Sequence, residues 1–387
     1  MHYRDSIFVG LLKPISRRWF QSVVDRHRGD AYDKTFFSWD HLVMLIFAQL
    51  SGVNSLRGLE AAWNANPHHH YHLGSAKVSR ATLADANARR PAAILLETFA
   101  MLAASAGGKL RREGAEMVRL IDSTPIPLKQ ITDWSTWNGR IKGMKLHVAF
   151  DPSTQTPTHI DMTPATVNDI SFASELEIER GVTYTFDKAY CSYALWTRID
   201  AAGAKFVTRQ KKNARVRMVR RRAVDEARGD GFQILGDAEV KLGSKGNAKL
   251  DVAMRRIRVK RDGGGTLVLL TNDLERSAIE IAQLYKGRWQ IELLFRWIKQ
   301  HLKLSKFLGR SENAVRLQIV AAMIAYLLLR IAAKANQIKM LPIRFAELAG
   351  SMLFVRKPIA KIDKPPEVNP SQSKPRCSPN QLELCYA

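Results

Sequence analysis

The sequence has few cysteines, no long apolar run and far fewer acids than bases. Its three cysteines, Cys191, Cys377 and Cys385, form no C-x-x-C pair, which argues against a disulfide framework and against a structural zinc site. The longest apolar run, residues 319–329, is too short for a bilayer span of about 20 residues, so we predict a buried core helix and no membrane partner. The N-terminus lacks a signal-peptide pattern, from which we expect a cytoplasmic protein.

The charge balance is the strongest compositional signal. The 387 residues include 60 Lys and Arg against 36 Asp and Glu, a formal net charge of +24. With 46% hydrophobic residues the chain can fold around a sizeable core, and its length suits two or three domains of about 150 residues. A surface this basic attracts polyanions, so we expect contact with nucleic acid; a merely basic, ribosome-like protein is the alternative.

Helical patterns dominate the first ~110 residues. Helices are predicted over 38–50, 55–63 and 79–91, an arrangement compatible with either a helix-turn-helix-like DNA-binding module or a plain helical bundle. Residues 66–72 contain four histidines but no nearby cysteine or acid, so we interpret them as a polar surface loop rather than a metal site.

From about residue 115 the pattern changes to strands in the order β-β-β-α-β-α-β. Strands are predicted at 116–122, 142–151, 158–165, 181–190 and 204–210, with helices at 168–180 and 192–203. Residues 211–270 interrupt this order with short strands, and we interpret them as a β-rich insertion. Strong helical patterns return at 275–304 and 312–335. The proline-rich stretch near the end predicts a flexible tail.

The insertion opens on a run of bases with no acid, residues 211–222. Lys211, Lys212 and Arg215 lie at its start. Such a run is equally compatible with a solvated face and with a groove that contacts a nucleic-acid backbone.

Three carboxylates stand out by position. Asp122 lies in the first predicted strand, Asp187 in the fourth, and Glu292 in the helix after the insertion. In this strand order the first and fourth strands are often neighbours, which would place the two aspartates side by side with Glu292 packed across them. Clustered carboxylates repel one another without a cation, and oxygen ligands suit Mg²⁺ or Mn²⁺. Two such ions can drive phosphodiester cleavage.

Other acids compete for these roles, and a structural role is open for each. Asp151, Asp161 and Asp169 also fall near the ends of predicted elements. Asp187 is preferred as the second ligand because it follows the strand expected beside Asp122.

The helix that carries Glu292 has a narrow polar stripe. At about 100° per residue, Tyr285, Arg288, Glu292 and Lys299 fall within an arc of about 60°. Apolar side chains fill the adjoining sector. The alternative, a surface Arg288–Glu292 pair contributing about 0.3 kcal/mol, does not explain the other two residues.

These residues resemble a known family. The spacing Tyr285-x2-Arg288-x3-Glu292-x6-Lys299 is similar to the Y-R-E-K pattern of DDE-type transposases of bacterial insertion sequences. IDSTPIPL (121–128) resembles the first-aspartate motif of that family.

The second aspartate and its spacing extend the resemblance. FDKAY (186–190) resembles the second-aspartate motif, although Lys188 and Ala189 stand where Arg-Gly is commoner. The spacing of 105 residues from Asp187 to Glu292 fits the subgroup with a β-rich insertion before the glutamate. The resemblance covers roughly residues 115–335.

The resemblance implies an α+β fold with an RNase H-like catalytic core, a mixed sheet flanked by helices. The implied domains are a helical N-terminal DNA-binding domain at 1–112, the core in two parts at 113–210 and 273–350, the β-rich insertion at 211–272, and a flexible tail at 351–387.

It also implies an enzyme of cut-and-paste DNA transposition. Asp122, Asp187 and Glu292 would hold two Mg²⁺ ions, with Mn²⁺ as a possible substitute, so that water frees a 3′-OH which then attacks target DNA. The resemblance implies DNA contacts from Tyr285, Arg288 and Lys299, and we expect further contacts from Trp289 on the same helix and from Lys211, Lys212 and Arg215 in the insertion.

The implied partners are double-stranded DNA, both terminal inverted repeats and target, and a second copy of the chain. The implied location is the bacterial cytoplasm, with nucleoid association when DNA is bound. A hairpin intermediate on the flanking DNA is a hypothesis by analogy with relatives. Two alternatives are a cleavage-inactive, domesticated or decayed copy that only binds DNA, and a host RNase H-like nuclease, which would need neither the basic insertion nor the polar stripe.

Overall fold

The chain combines an all-helical N-terminal part with a large mixed β-sheet flanked by helices, which confirms the predicted fold class. The computed structural model describes residues 5–110, 116–128, 134, 143–224, 228–243, 252–301 and 307–364. The N-terminal helices are α1 (Ile7–Leu12), α2 (Arg17–Arg26), α3 (Ser38–Ser51), α4 (Leu56–Asn64), α5 (Pro67–Leu73), α6 (Arg80–Arg89) and α7 (Ala92–Leu110).

Serine residues begin several of these helices. The hydroxyls of Ser16, Ser55 and Ser79 accept hydrogen bonds from the first turns of α2, α4 and α6. Each satisfies a backbone N–H that a helix end otherwise leaves without a partner. The predicted helices 38–50, 55–63 and 79–91 are therefore present, with boundaries that differ by one or two residues.

The histidine-rich segment is a helix, and the predicted surface loop was wrong. Pro67 occupies the first turn of α5, where its fixed φ favours a helix start. The ring of His70 is buried, stacks on Trp63 with a centroid distance of 4.6 Å, and has its Nε2 3.1 Å from the Trp63 carbonyl oxygen. His70 thus has a packing role.

The sheet contains ten strands among the described residues. They are β1 (Val118–Pro127), β2 (Gly143–Asp151), β3 (Thr156–Pro164), β4 (Thr183–Phe186), β5 (Lys205–Arg209), β6 (Val216–Arg222), β7 (Arg228–Gly229), β8 (Phe232–Leu242), β9 (Met254–Arg261) and β10 (Thr266–Thr271). Their order is β3-β2-β1-β4-β5-β10-β9-β8-β6, and β7 pairs with β8. β4 is parallel to both β1 and β5, whereas the other pairs are antiparallel.

The strands of the expected insertion extend this same sheet. β10 pairs with β5, and β9, β8 and β6 follow outward. Backbone hydrogen bonds therefore run without interruption from β1 to β6. The domain boundaries at 210/211 and 272/273 stay predictions.

Helices cover the two faces of the sheet. α8 (Asp169–Glu175) and α9 (Tyr193–Ala201) share a core with one face of β4 and β5, while α10 (Ala278–Gly287) packs on the other face. The remaining helices are α11 (Trp289–His301), α12 (Glu312–Ala335) and α13 (Pro342–Ser351).

α12 is the buried core helix predicted from its apolar run. It packs against α3 and α7 and joins the N-terminal helices to the sheet in one hydrophobic core. By length and composition alone it could cross a membrane, but 89% of its most apolar window is buried inside the protein.

The flexible tail does not begin at 351 as expected. Leu353 and Ile362 are buried in the main core, and the backbone N–H groups of Ile7 and Phe8 donate to the carbonyls of Val355 and Leu353. Prolines and lysines suggested disorder, but a few apolar side chains between them anchor residues 352–364. The rest of the predicted tail, including Cys377 and Cys385, lies outside the described residues.

Candidate active site

Strand pairing brings the two aspartates to neighbouring strand positions. The parallel ladder between β1 and β4 ends at the pair Ile121 and Phe186, both buried. The next residues are Asp122 and Asp187. The sequence-based expectation that the first and fourth strands are neighbours thus holds in the sheet.

The polar stripe that contains Glu292 is divided between two helices, and Glu292 itself lies on the second. The predicted continuous helix over 275–304 is broken at Arg288, where α10 ends and α11 begins. The N–H of Arg288 donates to the Tyr285 carbonyl and that of Ile291 to the Arg288 carbonyl, so the chain tightens to i→i−3 hydrogen bonds around the junction. The stripe arithmetic, which assumed a continuous helix, therefore does not apply across this junction.

A single guanidinium joins two of the three carboxylates. Arg288 Nη1 lies 2.6 Å from Asp122 Oδ2, and Arg288 Nη2 lies 2.6 Å from Glu292 Oε1. The exposed fractions of the three side chains are 16%, 19% and 32% for Arg288, Asp122 and Glu292. Arg288 Nε is buried with no hydrogen-bond partner among the described residues. Glu292 thus faces Asp122 across one shared cation, from a different element.

Asp187 has its own partners. The Tyr285 hydroxyl donates to Asp187 Oδ1 at 3.4 Å, and Arg209 Nη1 lies 3.9 Å from the same oxygen. The Arg288 guanidinium lies 5.8 Å from the centre of the Tyr285 ring. Tyr285 and Arg288 therefore connect Asp187 to the other two carboxylates.

Arg209 was missed from the sequence. It ends β5, the strand beside β4, so a base at that strand end could have been expected near Asp187. The signal is weak because the sequence gives the order of elements but not which side chain at a strand end points to the neighbouring strand.

The electrostatics show that the three carboxylates interact. Burial raises the pKa of Asp122 to about 6; the charge of Arg288 opposes this rise, and the charges of Glu292 and Asp187 add to it. Burial also raises the pKa of Tyr285 to about 12, so its hydroxyl stays protonated and can donate. The site is a partly buried cluster in which negative charge is costly without a cation.

The oxygen donors fit a hard divalent cation by chemistry. Carboxylate oxygens are the preferred ligands of Mg²⁺ and Mn²⁺. Within the described ranges no three His, Cys, Asp or Glu side chains are close enough to hold one metal ion. The positive charge of Arg288 stands between Asp122 and Glu292 instead.

The other predicted DNA contacts are distributed around this cluster. Trp289 is 51% exposed beside Arg288, with the Arg296 guanidinium 5.9 Å from the centre of its ring. Lys299 is exposed and forms no ion pair with a carboxylate of the described residues, although partial burial lowers its pKa. These side chains extend along α11 from the carboxylates.

The basic run begins close to the same cluster. Lys211 lies two residues after Arg209 and donates from Nζ to the Cys191 carbonyl at 3.1 Å. Lys212 and Arg215 follow it with exposed side chains. The run therefore starts beside Cys191, four residues after Asp187, and continues along β6.

Comparison with known proteins places the chain in a family. Residues 113–328, more than half of the chain, match the family described as "Transposase DDE domain". The chain belongs to the DDE transposase family. It is thus an enzyme of DNA transposition, with DNA cleavage and strand transfer as its reactions. Residues 3–76 match a second family, described as a domain of unknown function (DUF4372).

Named relatives are transposases as well. The chain is 56% identical over 304 residues to transposase y4zB of Sinorhizobium fredii, covering 79% of this chain and 85% of that protein. It is 31% identical over 215 residues to a transposase for insertion sequence element IS5377 of Geobacillus stearothermophilus, covering 55% and 56% of the two chains.

A solved structure of the piggyBac transposase synaptic complex with hairpin DNA aligns with a TM-score of 0.44 at 10% identity. The alignment covers 96% of this chain and 85% of that one. Similarity at this level establishes nothing further about this transposase.

Proposed function

We propose that this transposase moves an insertion sequence by cut-and-paste, with Asp122, Asp187 and Glu292 holding two Mg²⁺ ions for which Mn²⁺ can substitute. The observation that carries the proposal is the shared guanidinium. Arg288 bonds Asp122 on the sheet and Glu292 on α11 at 2.6 Å each. Carboxylates from two elements that already converge on one positive charge are suited to hold a metal cation. When bound, the metal pair supplies an activated water or 3′-hydroxyl and stabilises the leaving oxygen.

Arg288 would have a second role when Asp122 and Glu292 hold metal. Its guanidinium, released from these carboxylates, would match a phosphate with two parallel N–H donors. Tyr285 keeps a protonated hydroxyl beside Asp187 and can donate to a phosphate oxygen. Lys299 adds positive charge farther along α11, and exposed Trp289 offers a surface for a base to stack on.

Double-stranded DNA, as terminal inverted repeats and as target, is the proposed partner. The formal charge of +24 supports it, as does the basic run of Lys211, Lys212 and Arg215, whose first lysine bonds the Cys191 carbonyl four residues after Asp187. Cutting both ends of one element requires two active sites, so we propose a homodimer on DNA. The proposed location is the bacterial cytoplasm, at the nucleoid.

The test is a cleavage assay on a duplex that carries the terminal repeats flanking the coding region, with Mg²⁺ or Mn²⁺. Glu292→Gln is expected to lose more than about 100-fold in cleavage rate, beyond the loss typical of residues that only support a metal ligand. Glu312→Gln is a matched control, because Glu312 also pairs with an arginine one turn away on its helix. Cleavage by Glu292→Gln at the parent rate would contradict the metal-ligand role, and binding without cleavage by the parent would support the inactive alternative.

A further inference from the structure

A second polar cluster lies behind the aspartates, centred on Asp169. Asp169 Oδ1 accepts hydrogen bonds from Ser123 Oγ at 3.0 Å and from Lys145 Nζ at 3.2 Å. Lys145 Nζ also donates to the Val167 carbonyl at 2.7 Å. His147, fully buried, has its Nδ1 3.9 Å from the same Asp169 oxygen. These groups, which we call the Asp169 cluster, come from β1, β2 and the start of α8.

The Asp169 cluster lies on the opposite face of the sheet from Asp122. Neighbouring strand residues point to opposite faces. Ile121 belongs to the core under α8 and α9, whereas Leu120 belongs to the core that includes α11. Asp122 therefore faces α11, and Ser123 faces α8. The Asp169 cluster cannot touch DNA or metal directly at the proposed site.

Ser123 nevertheless fixes the rotamer of Asp122. Its backbone N–H donates to Asp122 Oδ1 at 2.9 Å. Because the Ser123 side chain is bonded to Asp169, any movement of Asp169 is transmitted to the backbone that holds the Asp122 carboxylate. The other oxygen of Asp122 is the one that bonds Arg288.

The turn that follows the second aspartate packs against α8, the helix that Asp169 begins. β4 ends at Phe186, so the sheet does not hold Asp187 itself, and the next three residues form one 3₁₀ turn closed by the Tyr190 N–H donating to the Asp187 carbonyl. Tyr190 is buried in the core under α9. Its hydroxyl is buried with no hydrogen-bond partner among the described residues, and burial raises the pKa of the phenol.

We propose that Asp169 is a positioning residue which, through Ser123 and through the packing of α8 on the turn after Asp187, holds the two catalytic aspartates in place for Mg²⁺. The inference rests on the proposed metal-ligand roles of Asp122 and Asp187. Mg²⁺ demands near-ideal octahedral geometry at short distances. A slight displacement of its ligands should therefore weaken Mg²⁺ binding more than Mn²⁺ binding. Lys145 offsets the charge of Asp169, so that the cluster adds no net negative charge behind the site.

The experiment compares Asp169→Asn with the parent in the full chain, in Mg²⁺ and in Mn²⁺. Asparagine keeps the size of the side chain and an oxygen for Ser123, but it loses the charge that Lys145 pairs with. Cleavage of the terminal-repeat duplex in Mg²⁺ is expected to fall about 10–100-fold, the usual effect of disturbing a group behind a metal ligand. In Mn²⁺ the fall is expected to be several-fold smaller.

A readout independent of cleavage is the rise in Tm that each metal produces without DNA. The parent should be stabilised by both metals, and Asp169→Asn mainly by Mn²⁺. Asp161→Asn is the matched control, because Asp161 lies on β3 opposite His147 and is not among the groups that bond Ser123 or Lys145. It is expected to behave as the parent in both assays.

Two results would overturn the inference: equal losses in Mg²⁺ and Mn²⁺, which indicate a purely structural role, or no loss in either. If Asp169→Asn does not fold, Ser123→Ala removes one hydrogen bond of the same cluster and should show the same metal preference. Asp122→Asn separates the two proposals. If it still cleaves, the proposed function fails; if it does not cleave while Asp169→Asn shows no metal preference, only the present inference fails.

Discussion

Replacing Arg288 with methionine tests whether its guanidinium stabilises the carboxylate cluster when no metal is bound. The change keeps an unbranched apolar side chain of moderate length but removes the positive charge between Asp122 and Glu292. Without metal, we expect the variant to be less stable than the parent at pH 7. With saturating Mg²⁺ or Mn²⁺, we expect most of the difference to disappear because the metal takes the place of the guanidinium.

The magnitude follows from the burial of the three side chains. Breaking a fully buried ion pair costs about 3–5 kcal/mol, because a charge is left buried without a partner. Here water reaches all three side chains, and exposures of 16–32% reduce the cost. Each of the two hydrogen bonds to a charged group contributes about 1.5–3 kcal/mol. Part of this loss is offset because water hydrates the two carboxylates in the variant. We therefore expect a loss of about 2 kcal/mol in the free energy of unfolding.

The same figure predicts the change in metal affinity. If a metal must displace Arg288 at a cost of about 2 kcal/mol, the loss of Arg288 should tighten Mn²⁺ binding to the DNA-free protein by about 30-fold, since 1.4 kcal/mol corresponds to a factor of ten. Cleavage should nevertheless fall, because the variant lacks the donor proposed to bind phosphate.

The assays are urea denaturation with and without metal, and calorimetric titration with Mn²⁺. Arg296→Met is the control: Arg296 lies two turns further along α11, over the exposed Trp289 ring, and its loss should change stability by no more than about 0.5 kcal/mol. An equal loss of stability with and without metal, or Mn²⁺ binding no tighter than in the parent, would refute the reasoning.

Two further predictions concern pH and the outer strands. The pKa of Asp122 is raised to about 6 in the folded protein, from 3.8. The folded state therefore binds more protons between those values, and metal-free stability should fall by roughly 2–3 kcal/mol as pH rises from 4 to 6, a slope that Asp122→Asn removes in denaturation curves at stepped pH. Arg255→Met should lower the free energy of unfolding by about 3–5 kcal/mol, measured by urea denaturation. The reason is that buried Asp237 loses the guanidinium whose Nε lies 2.8 Å from its carboxylate. A loss below about 1 kcal/mol would show that this ion pair contributes little to stability.

The adjacency of the first and fourth strands was predictable from the sequence, whereas the continuation of the same sheet by the strands after residue 210 was not. Alternating apolar residues indicate strands, and neighbouring parallel strands end at the same edge of a sheet, so Asp122 and Asp187 each directly follow the last residue pair of the β1–β4 ladder. Tyr285 and Arg288, two residues of the predicted stripe, contact Asp187 and Asp122, although the stripe assumed one continuous helix.

The break at Arg288 was not predictable from periodicity. Tyr285, Arg288 and Glu292 keep nearly the spacing of a continuous helix, and a single glycine at 287 is tolerated within helices. The Asp169 cluster was also inaccessible, because Asp169 and Ser123 are 46 residues apart and meet only through the packing of α8 on the sheet. Contacts between distant polar side chains leave no periodic signal in a single sequence.

The outer strands take part in building the site, and one buried arginine shows how. Arg255 on β9 bonds Asp237 on β8 and also donates to the backbone carbonyls of Asp273 and Arg276. These two residues closely precede the serine that caps α10, the helix whose last turns carry Tyr285.

A second ion pair connects α10 to the outer strands, near the C-terminal end of the helix. Lys286 Nζ lies 2.6 Å from Asp230 Oδ2, in the turn between β7 and β8. The buried link at Arg255 is the stronger of the two, because exposed ion pairs contribute at most about 1 kcal/mol. Since Arg288 directly follows α10, the outer strands set where its guanidinium stands relative to Asp122. A chain that lost β8 and β9 would therefore lose the geometry of the carboxylates along with its basic surface.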